Sequence, residues 1–210
     1  MELSVTPTYK TDTHYFEQKM KKWTHSELGE FVFNGFAWEQ QRLLKAFSIF
    51  PYVEYPKTSK WDHKTPLVDI SFESFEDENV PTQQQVKTAL TVLSNHEKLI
   101  EEGLMALFDD IKGTGPGSGM WWRFEMDVIK DRFEYKHPNF VPYVFDQPEH
   151  LHMMLGSPSI SVCESNLGSE NSYANLCFEA CFEPEHGVGL LTDGQSIIGL
   201  GYSGEARPFK

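Results

Sequence analysis

The chain has 210 residues, 40% of them hydrophobic and 14% aromatic, so it can bury a core and lacks the composition of a disordered chain. Its 18 lysines and arginines against 31 aspartates and glutamates leave a formal net charge of −13, a field that repels phosphate backbones and anionic lipid and attracts cationic partners. No apolar run approaches the roughly 18 residues of a spanning helix, the N-terminal residues lack the pattern of a secretory signal, and the 3 cysteines are too few and odd in number for a disulfide scaffold. No nucleic acid and no membrane are therefore expected as partners, and a reducing, cytoplasmic setting is expected.

Along the chain, residues 30–36 (EFVFNGF) read as a strand, whereas 37–50 (AWEQQRLLKAFSIF) fit two patterns. Trp38, Leu43, Leu44 and Phe47 suit a helix, while the stretch beginning at Ser48 (SIFPYVEY) suits a strand. Residues 66–74 (PLVDISFES) alternate Val68, Ile70 and Phe72 with Leu67 and Asp69, the pattern of a strand with one buried face. An acidic turn follows, with Glu76, Asp77 and Glu78 in succession. Thr82 to Gln85 then form a capping box: the Thr82 hydroxyl can accept from the Gln85 backbone while the Gln85 side chain returns to Thr82. Val86, Leu90, Leu93, Ile100, Leu104, Leu107 and Ile111 line one face of the helix this begins, which runs about 45 Å to near Gly113. Gly103 is the expected place for a break or bend.

Residues 113–119 (GTGPGSG) are expected to be a flexible connection. They open an irregular, aromatic-rich excursion over 113–145, containing a strand or short helix and packed back through Trp121, Trp122 and Phe124. Asp146 with Glu149 offers another helix N-cap, and Gly156 a C-cap. The rest reads as β: SISVCES, then ANLCFEACFEP with Leu176, Phe178, Ala180 and Phe182 on one face, then GVGLL and SIIGLGY joined through Asp193-Gly194. That dipeptide predicts a two-residue type I′ turn. The fold class is α+β: a single domain over 1–210, its antiparallel sheet ending in a C-terminal meander, with the long helix packed on one face.

Candidate chemistry is sparse. Glu185-His186 lacks the second histidine and the helix of a zinc-protease motif, and its position marks the way into a hairpin, with Gly187 and Gly189 allowing close approach of another backbone or side chain. His186 is expected to fill a turn and bond a nearby carboxylate. Four strand residues separate Cys177 from Cys181 by about 13 Å, too far to share one zinc. His150 and His152 point to different sides of a helix, and the adjacent pairs Glu101/Glu102 and Asp109/Asp110 read as a solvated face. The glycine stretch has neither the phosphate-loop nor the serine-nucleophile pattern. No cofactor, no metal and no catalytic residue are expected. An aromatic pair, Trp121-Trp122, fits a protein interface or a core anchor better than a base-stacking platform.

VDISFES, the PTQQQVKTALTVL helix start, CFEACF and EPEHGVGLLTDGQSIIGLG together resemble a bacterial family of uncharacterised domains that end in an acid-Glu-His-Gly-Leu/Val-Gly hairpin. The resemblance covers residues 60–112 and 148–204; Pro184 departs from it, standing where a tryptophan–acid pair is expected. Many such proteins look like immunity proteins of polymorphic or contact-delivered toxin systems, which bind a sister toxin without chemistry. The resemblance implies a non-catalytic inhibitor of a cognate, basic toxin. It carries Glu185, His186, Gly187, Gly189, Asp193 and Gly194 over as structural hairpin positions only. Glu76, Asp77, Glu78, Trp121 and Trp122 are the candidate partner contacts. Two alternatives remain beside it: a hydrolase or metal-dependent enzyme using Glu185 and His186, and a structural or scaffold module.

Overall fold

The computed structural model describes residues 21–50, 67–74, 79–136, 144–163 and 172–209. Within them a nine-stranded sheet is laid down in chain order: β1 (Lys22–His25), β2 (Gly29–Phe33), β3 (Ala37–Leu43), β4 (Leu67–Glu73), β5 (Leu155–Val162), β6 (Ala174–Ala180), β7 (Glu183–Thr192), β8 (Ile197–Gly201) and β9 (Arg207–Pro208). Every neighbouring pair is antiparallel except β4 and β5, which are parallel. Parallel neighbours cannot be joined by a hairpin, so the chain between them must cross over. That crossover holds helix α1 (Gln83–Lys112), helix α2 (Met126–Lys136) and a 3-10 helix over Pro148–Met154. The architecture is a single α+β domain.

Register explains the core. Ile70 pairs with Ile160, Ile160 with Leu176, Leu176 with Leu190 and Leu190 with Leu200, so one aliphatic row crosses five strands on the face that receives α1. Val68, Ile70 and Phe72 are fully buried, as their alternation predicts. The capping box forms as read, with Gln85 N donating to Thr82 Oγ1 at 3.2 Å and Thr82 N to Gln85 Oε1 at 2.9 Å, and Gly113 closes α1 in the left-handed conformation. The buried stripe is broader than the sequence pattern: Ala89, Val92, Leu99 and Phe108 join it, while Leu90 and Leu93 are only half-buried. Gly103 does not break the helix, which is continuous for 30 residues. A Cβ there would collide with the Leu190 side chain, so the glycine lets helix and sheet approach.

The N-terminal strands pack aromatics: Trp23, Phe31, Trp38 and Phe72 meet edge to face or tilted at 5.1–6.5 Å. Their turn is an Asx turn, with Asn34 Oδ1 accepting from Phe36 N and Ala37 N at 2.8 and 2.9 Å. The ambiguous stretch resolves into strand β3 followed by a 3-10 turn over Lys45–Ile49.

Several local expectations need correction. Pro148–Met154 is a 3-10 helix capped at Gln147, not Asp146, and Gly156 lies inside β5. The β7–β8 connection is not a two-residue turn: Thr192 pairs with Ile197, leaving four residues between. Asp193 Oδ1 accepts from Gln195 N at 2.8 Å and Ser196 N at 3.0 Å, while Thr192 Oγ1 accepts from Gly194 N at 2.9 Å; side-chain acceptors in place of a second positive φ build the longer loop. The alternating glycines of β7 and β8 do serve close approach. A Cβ at Gly189 would stand 2.5 Å from Tyr202 O, and one at Gly201 2.7 Å from Ala206 Cα, where the returning C-terminal segment crosses them.

Candidate functional site

The glycine-rich stretch after α1 is organised by Asp110, a residue of the helix's last turn that is fully buried rather than solvated. Its Oδ1 accepts from Ser118 N at 3.0 Å and Arg123 Nη1 at 2.8 Å, and its Oδ2 from Trp122 Nε1 at 2.9 Å and the Ser118 hydroxyl. Arg123 Nη2 donates onward to Gly113 O at 3.2 Å and Gly115 O at 3.0 Å. A buried carboxylate is tolerable only when paired and hydrogen-bonded, and four donors including one guanidinium meet that demand. The stretch is therefore a fixed loop, not a flexible connection. Phe124, expected against the core, is instead 70% exposed, with φ 69°.

That loop delivers two adjacent indoles to different places. Trp122 is fully buried against Phe182 and Tyr202, so it is a core anchor without surface to offer a partner in this fold. Trp121 is half-buried, and its Nε1 donates to Glu183 Oε2 at 2.5 Å. Glu183 Oε1 lies 3.0 Å from His186 Nδ1. A carboxylate accepts, so Nδ1 is the donor in this bond and Nε2 takes no part in it. The imidazole stacks on Tyr202 at 4.6 Å between centroids. Thus the carboxylate paired with His186 is Glu183, not the neighbouring Glu185. The signal for it was the Pro184-Glu185-His186-Gly187 run: Gly187 takes φ 64°, so strand alternation does not hold there.

Helix α2 completes a groove of about 720 Å³ against the beginning of β7. The helix buries Ile129 and Phe133 and turns Val128, Asp131, Arg132, Tyr135 and Lys136 towards the groove, the i, i+3, i+4, i+7, i+8 spacing of a second stripe. The facing wall is Trp121, Cys181, Glu183, Pro184 and Glu185. Arg132 fixes the floor: its guanidinium carbon lies 4.5 Å from the Trp121 ring centroid, and Nη1 donates to Phe182 O.

Compared with known proteins, the chain matches no family model, no curated protein and no solved structure. The site must be read from its own residues.

A second polar cluster lies on the sheet face opposite α1. Glu73 Oε1 accepts from Ser161 Oγ at 3.0 Å and from Cys163 Sγ at 3.8 Å, and Asn175 Nδ2 donates to Cys163 Sγ at 3.2 Å. Burial, and then the Glu73 carboxylate, push the Cys163 thiol up to about 12. Burial likewise raises Cys177. Both thiols are protonated at neutral pH and are poor nucleophiles. Among the described residues no three His, Cys, Asp or Glu side chains are grouped to hold a metal ion, and no helix is long and apolar enough to cross a membrane. Of the expected partner contacts, Glu76, Asp77 and Glu78 lie outside the described residues. Trp121 and Glu185 meet at the groove, while Gly189, Asp193 and Gly194 serve the hairpin away from it.

Proposed function

We propose that this chain is an immunity-type protein that binds a basic bacterial toxin and blocks it by contact alone. The observation that supports this reading is its acidic charge, −13 overall, together with how the sheet carries it. On the face away from α1, β3, β4 and β5 present Glu39, Gln41, Asp69, Ser71, Glu73, Ser159 and Ser161, with no lysine or arginine among them. Glu39 and Asp69 are exposed there. Such a surface steers a cationic partner and speeds its encounter at low salt. Co-expression with the product of the adjacent gene tests the reading: neutralised toxicity with a stoichiometric complex supports it, and a harmless neighbour that is not captured overturns it.

A second reading rests on the Glu183–His186 pair, a carboxylate bonded to an imidazole Nδ1 as in an oriented general base. It requires hydrolytic turnover that His186→Ala abolishes, whereas the immunity reading requires neutralisation that survives this substitution.

A further inference from the structure

We propose that the groove between α2 and β7 receives a lysine or arginine side chain of the partner protein. This rests on the immunity-type reading for the partner's charge, but the groove's own chemistry points the same way. Asp131 on the helix wall and Glu185 on the strand wall are exposed carboxylates, and neither makes a hydrogen bond or ion pair among the described residues. Glu183 is already occupied by Trp121 and His186, Arg132 by Trp121 and Phe182 O, and Lys136, the other cation of the lining, is engaged as well. The uncommitted charge at the two walls is therefore negative. Val128, Pro184 and Tyr135 line the same groove, the last 87% exposed. An apolar slot with carboxylates at its rim suits a long cationic side chain, which lays its methylene stem on apolar surface and holds its charge at the edge. Tyr135 adds an open ring face for a cation. Trp121 is held by Glu183 from one side and Arg132 from another, so little ordering is left to occur on binding.

The test uses the full-length protein and a capped decapeptide of alternating arginine and glycine, with the neutral citrulline decapeptide as its isostere. Binding is followed by the indole N–H signals in ¹H–¹⁵N spectra, the Trp121 signal being assigned from Trp121→Phe. The expected result is a saturable shift of the Trp121 signal with the arginine peptide and none with the citrulline peptide. Asp131→Lys/Glu185→Lys is expected to weaken binding about tenfold, while Glu97→Lys/Glu101→Lys, the same charge change on the exposed face of α1, weakens it less than about twofold. All four residues are exposed, so both variants retain the fold. No Trp121 shift, an equal shift with citrulline, or equal weakening by the two double variants overturns the groove assignment. A captured toxin that binds Asp131→Lys/Glu185→Lys as tightly as the parent also overturns it, while leaving the immunity reading intact. If the peptide behaves as expected but no toxin is neutralised, the groove assignment stands and the immunity reading falls.

Discussion

Two neighbouring tryptophans end in opposite circumstances. Each gives its indole N–H to a carboxylate from another element, Trp122 to Asp110 and Trp121 to Glu183. Asp110 has no exposure, carries the Arg123 guanidinium and three further donors, and closes a loop within thirteen residues of sequence. Glu183 has a side chain 10% exposed, an ion-pair contact with His186, and an indole partner 62 residues away. The first arrangement holds the crossover to the core. The second positions an accessible aromatic edge beside a groove. Similar contacts thus divide between making the fold and presenting its surface, and the division follows burial and how fully each carboxylate is satisfied.

Breaking the Asp110 cluster tests the first half of that contrast and carries the largest expected effect. Asp110→Ala takes the fully buried carboxylate from a partly buried guanidinium and from the Trp122 and Ser118 donors, so a loss of about 3 kcal/mol is expected in urea unfolding. Asp110→Asn, which keeps the shape but not the charge, is expected to recover only part of that loss. If both variants unfold at the parent midpoint, the loop is not what anchors the crossover.

Trp121→Phe keeps much of the ring's packing and removes only the donor to Glu183. A cost of about 1–2 kcal/mol is expected, because Glu183 retains His186 and lies close enough to solvent to recover part of the lost hydration. His186→Ala, removing a half-exposed partner, is expected to cost less than about 1 kcal/mol. The order Asp110, Trp121, His186 in unfolding midpoints is the sharp form of the comparison. A Trp121→Phe loss equal to that of Asp110→Ala would mean that the groove wall and the core share one cooperative network.

The contrast also marks what sequence could reveal. The capping box at Thr82, the alternation of Val68, Ile70 and Phe72 and the C-terminal strands are local patterns, and they appear in the structure because each depends on residues a few positions apart. Gly103 misleads for the opposite reason: its role depends on Leu190, which no local rule connects to it. Asp110 looks like half of a solvated acidic pair until Trp122 and Arg123 fold back onto it. At the candidate site the residue types were legible but the pairing was not, since Glu185 stands next to His186 in sequence while Glu183 reaches it in space. Strand β1 was missed because only four residues form it, and their partners lie across a turn.

The Cys163 cluster gives the smallest structural effect and the cleanest sign. It too sets a side chain beside a carboxylate, Glu73, but here the group is neutral, kept so first by burial and then by the neighbouring charge. At pH 8 the folded protein is therefore expected to leave Cys163 unlabelled by a thiolate-selective reagent, whereas the unfolded chain reacts. Linkage fixes the direction of the pH effect. The thiol's folded-state pKa, about 12, lies above its ordinary value of 9.0, so the unfolded chain releases this proton first as pH rises. The contribution is fully present below pH 9 and is lost between pH 9 and 12. Cys163→Ser is expected to flatten that alkaline decline relative to the parent while leaving stability at pH 7 nearly unchanged. Rapid labelling of folded Cys163 at pH 8 would instead make it a thiolate, and would move the search for chemistry from the groove to the open face of the sheet.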